Sequence, residues 1–156
     1  MKNLIFLLLI MMFFSCESSV SKNEIQLQLE TIKNSTELSP DLPPHVLERI
    51  ENKINLPNEP FIEVEKFILL IISLNDDKLS DDKIEELDLQ LDKLMESSSL
   101  IEGEEQALFM DFIMPLQEFK NQLLMAKEKE DLIIKKNNIK KYLGSFYLLY
   151  KVQNLD

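Results

Sequence analysis

Apolar side chains recur at steps of three and four residues along most of this chain, which is the spacing that gathers them on one face of an α-helix. Val46, Leu47, Ile50 and Ile54 form one such stripe, closed by Pro57 and Pro60. From about Pro60 to Leu74 the residues Phe61, Val64, Phe67, Ile68, Ile71, Ile72 and Leu74 are apolar around most of a helical circumference. Glu63, Glu65 and Lys66 interrupt that segment, so it reads as a central helix packed on several sides and not as a membrane span. Ser80 stands as the N-cap of the next helix, with Asp81, Asp82 and Glu85 beside its positive end. Ile84, Leu87, Leu91, Leu94 and Met95 make its stripe, which stops at Ser97-Ser98-Ser99.

After Gly103 the stripe Phe109, Phe112, Leu116, Phe119, Leu123 and Ala126 keeps its phase across Pro115. One kinked helix, or two meeting end to end, would satisfy it, and the unbroken phase favours the kink. The last helix is expected over about Asn138 to Gln153, with Ile139, Tyr142, Leu143, Phe146, Leu149 and Tyr150 on one side. Two earlier segments do not fit the pattern. Residues 24–36 alternate at Ile25, Leu27 and Leu29 as a strand would and then break phase at Ile32. Without a second strand candidate to pair with, they read as a short helix or a partly ordered lead-in. Ser39-Pro40-Asp41-Leu42-Pro43-Pro44 is a linker, because proline removes a donor and pushes the preceding residue toward extended geometry.

The start of the chain follows another rule. Met1-Lys2-Asn3 is a short positive start, and Leu4 to Phe14 is an apolar run ending at Ser15-Cys16. Such a run spans about 16 Å as a helix, roughly half a hydrocarbon core, and so reads as an export signal. Its small Ser15 is the side chain a signal peptidase needs before its cut, and the next residue, Cys16, is the chain's single cysteine. At these residues the sequence resembles the bacterial lipoproteins, whose lipobox ends in a small residue followed by cysteine. Phe13 and Phe14 stand where the common box has Leu and a small residue, a loose form similar to that of spirochaetal surface lipoproteins. The resemblance covers about a tenth of the chain. It implies cleavage after Ser15, a diacylglycerol on the Cys16 thiol and an N-acyl chain on the new terminus. One acyl chain gives marginal membrane binding, and two or more hold firmly. The same resemblance implies an address in the bacterial cell envelope, at the outer membrane, on either its surface or its periplasmic leaflet.

The expected organisation is therefore a signal peptide over residues 1–15 and a lipidated cysteine with a polar, Ser-rich tether over 16–23. A lead-in and Pro-rich linker follow over 24–44, and a helical domain occupies 45–156. The expected fold class is all-α, a bundle of about five amphipathic helices. A chain of 156 residues is long enough to bury most of its apolar surface without disulfides.

Charge and composition narrow the chemistry. The formal net charge is -11, yet residues 119–156 carry 8 bases against 4 acids while residues 17–118 carry 8 against 24. Lys127, Lys129, Lys135, Lys136, Lys140 and Lys141 are the candidate face for an anionic partner such as glycosaminoglycan or lipid headgroups. The competing reading, which the acidic excess favours, lays these basic helices against acidic ones. The overall sign argues against nucleic acid. Two Gly, one His and one Cys leave no material for a glycine-rich phosphate loop, a His/Cys metal site or a disulfide framework. The acidic run Asn75 to Glu86 can be laid over a calcium loop, but Leu79 falls on a ligand position and Ser80 where the turn requires Gly. No metal, cofactor or catalytic residue is assigned. His45 reads as an exposed residue at a helix start, with no nucleophile motif to serve. The aromatic cluster Tyr142, Phe146, Tyr147 and Tyr150 fits a core better than a docking patch.

The expectation is a lipid-anchored, surface-exposed envelope protein that acts by binding a protein partner and not by catalysis; outward display and contact with host proteins are what the resemblance to spirochaetal surface lipoproteins implies. The alternative is a periplasm-facing scaffold or immunity-type protein that binds a basic partner.

Overall fold

A computed structural model describes residues 21–153 apart from Ile50. Six α-helices lie among the described residues: α1 (Lys22–Lys33), α2 (Pro44–Leu47), α3 (Asn58–Ser73), α4 (Asp81–Ser97), α5 (Gly103–Leu124) and α6 (Lys129–Leu149). A 3₁₀ turn over Ser98–Leu100 follows α4, and two short strands, β1 (Ile54–Leu56) and β2 (Tyr150–Val152), complete the chain. The fold is all-α, with α3, α4, α5 and α6 running alternately down and up around a common core. No described helix is long and apolar enough to cross a membrane.

The amphipathic stripes read from the sequence form this core. Val64, Phe67, Ile68, Ile71 and Ile72 of α3 meet Leu87, Leu91 and Leu94 of α4, Phe109, Phe112, Leu116 and Leu123 of α5, and Ile139, Leu143 and Phe146 of α6. α5 passes through Pro115 as one helix, as the unbroken phase had implied. Pro115 cannot donate to the carbonyl of Asp111, and the helix absorbs that loss because Phe112 and Leu116 on either side are fully buried. The end of α4 is set by its three serines. The Ser97, Ser98 and Ser99 hydroxyls donate to the carbonyls of Leu94, Met95 and Glu96 at 2.9, 2.6 and 2.7 Å, competing with continued helix. Gly103, with φ 64, then reverses the chain into α5.

One sequence expectation is narrowed and three are corrected. Of the two readings of residues 24–36 the short helix holds, and α1 buries Leu29 and Ile32 against the bundle and packs along both α3 and α6. Ser21 caps it through a hydroxyl that accepts from the Glu24 amide at 3.2 Å, so its start lies inside the stretch read as tether. The helix expected from Val46 to Ile54 stops at Leu47, and Ile54 and Leu56 instead point inward from β1 with Asn55 outward. The last helix begins nine residues earlier than expected and ends at Leu149. Beyond it Tyr150 to Val152 pair with Ile54 to Leu56 in a parallel ladder. An isolated two-stranded sheet is marginal in water. Here Ile54, Leu56 and Tyr150 are buried, and the Gln153 amide donates to the Leu56 carbonyl at 2.7 Å. Because β1 precedes α3 and β2 follows α6, this ladder ties the two ends of the four-helix unit together.

Candidate functional site

Ser15 and Cys16, the residues of the lipobox resemblance, lie outside the described residues. The other candidates can be placed one by one.

The six lysines do not form one open face. Lys136 is buried, and its ammonium donates to the Leu74 carbonyl at the end of α3 and to the Asp76 carboxylate. Lys129 pairs with Asp77, Lys135 with Asp131 of its own helix, and Lys141 with Glu37. Lys140 donates to the Gln28 amide oxygen at 2.7 Å across the α1–α6 contact. Burial, with Lys136 nearby, holds its amine below the ordinary lysine value against the pull of Asp76 and Glu24. Lys127 alone of the six is exposed and makes no ion pair among the described residues. Lys129, Lys136 and Lys141 of α6 thus meet acids of the α3–α4 turn and of the segment after α1.

The acidic turn after α3 is accounted for by the same pairs. Asp76 and Asp77 point toward Lys136 and Lys129, and the Asn75 side chain accepts from the Asp77 amide at 3.0 Å. Among the described residues no three His, Cys, Asp or Glu side chains converge as a metal-binding group would.

His45 meets Asp111 at 2.7 Å, both side chains about half exposed, and the Arg49 guanidinium pairs with Glu104 nearby. The two pairs fasten α2 and the turn after it to α5 beside an open cleft of about 490 Å³ whose wall includes Asn52 and Leu108. In a Ser/His/Asp set such a pair orients the imidazole toward a hydroxyl nucleophile. No Ser, Thr, Cys or Lys is among the residues lining this cleft.

The aromatic cluster is core. Tyr142, Phe146 and Tyr150 are fully buried, and Phe112 stacks on Tyr142 with centroids 5.0 Å apart. Their hydroxyls find backbone partners one turn apart on α5: Tyr142 donates to the Phe112 carbonyl at 2.8 Å and Tyr150 to the Leu108 carbonyl at 3.0 Å. Tyr147, half-buried, donates to Glu65 at 3.1 Å and lies beneath the Lys33 ammonium at 5.6 Å. Burial pushes all three phenols well above the usual tyrosine range.

One polar cluster was not legible beforehand. Glu63 of α3 and Gln90 of α4 are both buried, and Gln90 donates to the Glu63 carboxylate at 2.7 Å and to its carbonyl at 3.1 Å. Lys66 closes the other carboxylate oxygen. Burial alone would raise the Glu63 carboxyl, but the Lys66 and Gln90 bonds and the Lys66 and Lys93 charges outweigh it and hold the group below its ordinary value. A carboxylate held ionised in this way accepts hydrogen bonds and has no proton to give at neutral pH. Its role is to pin α3 to α4 beneath a cleft of about 440 Å³ that also holds Glu59, Lys93 and Glu96. The signal for it was Glu63 falling on the buried side of an apolar helix.

No family model, no curated protein and no solved structure matches the chain.

Proposed function

We propose that the protein is a lipid-anchored component of a bacterial cell envelope whose helical body is a binding surface for a protein partner. The observation that carries this reading is Ser15-Cys16 placed at the end of an apolar run long enough for an export signal and too short for a span. The chain's one thiol has no second cysteine to pair with, and stands where acylation requires it. The body supports the reading in a second way. Its two buried lysines are engaged within the fold, Lys120 of α5 with Asp88 of α4 and Lys136 of α6 with Asp76 of the α3–α4 turn. What such a body offers to other molecules is its outer surface.

An inward-facing role, as a scaffold or an immunity-type protein covering a basic partner, is favoured by the acidic wall of α4, where Glu85, Glu86, Asp88, Asp92 and Glu96 lie exposed. Protease added to intact cells separates the two orientations. Loss of the protein means outward display and host-facing binding, and protection means a periplasmic partner. Radiolabelled palmitate tests the anchor itself: it should enter the natural chain and be absent from a Cys16→Ala variant, and equal labelling of both refutes the anchor. Capture of one basic protein by residues 21–156, lost at high salt, would favour the acidic-wall reading.

A further inference from the structure

The chain enters the bundle at one particular end. α1 and α6 run in the same direction, since Gln28 meets Lys140 and Ser35 lies against Gly144. Lys22, six residues before Gln28, is therefore about 9 Å further toward the start of α6. The α3–α4 turn lies at that same end, where Lys136 holds Leu74 and Asp76 and Lys129 holds Asp77. The α5–α6 turn completes it. This base carries Leu124, Met125 and Ile134, which are 41%, 71% and 59% exposed. The exposed lysines Lys22, Lys78 and Lys127 belong to the same end, together with the exposed acids Asp81, Asp82, Glu128 and Glu130.

We propose that this base is a membrane contact: resting on the reading of Cys16 as an acylated terminus, Leu124, Met125 and Ile134 seat in the headgroup region of a bilayer and hold the helices upright on it. Five residues separate Cys16 from Ser21, a contour of at most about 17 Å, so an acyl anchor keeps the base within that distance of the lipid surface. Confinement at that range makes insertion of the apolar side chains an intramolecular step, with the effective concentration of a short link. The partner is a neutral, zwitterionic surface. A chain of net charge -11 gains nothing from anionic headgroups, so the contact is apolar and tolerates salt. The opposite end, with β1, β2, α2 and the 3₁₀ turn at Leu100, then points away from the membrane and is the end presented to a partner.

The test uses the full lipidated chain in phosphatidylcholine vesicles that contain nitroxide-labelled lipid. A bimane fluorophore is attached in turn through Met125→Cys, Ile134→Cys and Leu100→Cys, the Cys16 thiol being occupied by lipid. Quenching at 125 and 134 should exceed that at 100 by about threefold and persist at about 1 M salt, where the Debye length is a few ångströms. Equal quenching at the three positions in protein that floats with the vesicles overturns the membrane contact and leaves the anchor standing. Protein that does not float with the vesicles refutes the anchor, and the contact with it.

Discussion

Lys136 shows how much a single side chain can mislead and then explain. It falls on the core-facing side of α6, between Leu132 and Ile139, so the apolar stripe does not run unbroken to the start of that helix. Its ammonium donates to the Leu74 carbonyl just past the end of α3 and neutralises Asp76. Replacing it with Met keeps the packing stem and removes both partners. An unsatisfied buried carbonyl costs about 1–3 kcal/mol, and Lys136→Met should lower the urea unfolding free energy by about 2 kcal/mol. Glu63 gives an acid-side dependence. Its folded-state pKa lies below the ordinary 4.5, so the unfolded chain takes up the proton first as pH falls. The stability it supplies is complete above that ordinary value and is lost as pH falls through the folded value. In Glu63→Gln the change in urea midpoint between pH 6 and pH 3 should therefore be smaller than in the natural protein. The tyrosines act at the other extreme. All three in the chain have raised pKa values, so their contribution is complete below the usual pKa near 10 and declines as pH rises past it. Absorbance at 295 nm, free of Trp, should show no ionisation at pH 10 and one cooperative step at higher pH that coincides with loss of helical circular dichroism. Half-ionised tyrosine in folded protein at pH 10 would contradict this.

At the scale of elements, the periodic apolar stripes were sufficient for α3, α4 and α5, including the passage through Pro115, because their core faces are built almost wholly from aliphatic and aromatic side chains. The elements that were left open or misread each carry a mixed signal. α1 buries only Leu29 and Ile32 fully while Leu27 stays 68% exposed, so its apolar residues scatter over two faces. β1 and β2 are three residues each, too short for alternation to be distinguished from a helix end, and only their pairing across the whole bundle defines them. What fits α1 to α6 is Gly144. A Cβ there would stand 3.0 Å from the Ser35 Cβ and 3.2 Å from its hydroxyl. Gly to Ala gains about 1 kcal/mol in helix propensity, whereas overpacking a tight contact costs about 1–3 kcal/mol. Gly144→Ala should therefore destabilise by about 1 kcal/mol in urea melts, and Ser35→Gly combined with it should recover the loss. A stabilised single variant would mean that α1 does not approach α6 this closely.

For the molecule as a whole, the basic face and the acidic excess are one feature. Lysines of α6 and α5 meet acids of the α3–α4 turn and α4, so a basic run at the end of the sequence became internal neutralisation, with Lys127 left open. The sequence carried that balance in its segment charges but not in its pairings, which depend on helices far apart in the chain. The buried Glu63–Gln90 bond was illegible for the same reason, as its partners are 27 residues apart on different helices. The functional reading rests on two adjacent residues near the start, and its most direct test is intact mass of the protein purified from a lipoprotein-processing bacterium. The expected result is a chain beginning at Cys16 that carries a diacylglycerol and an N-acyl group. A chain that retains residues 1–15, or one that begins at or after Cys16 with no lipid, would contradict it.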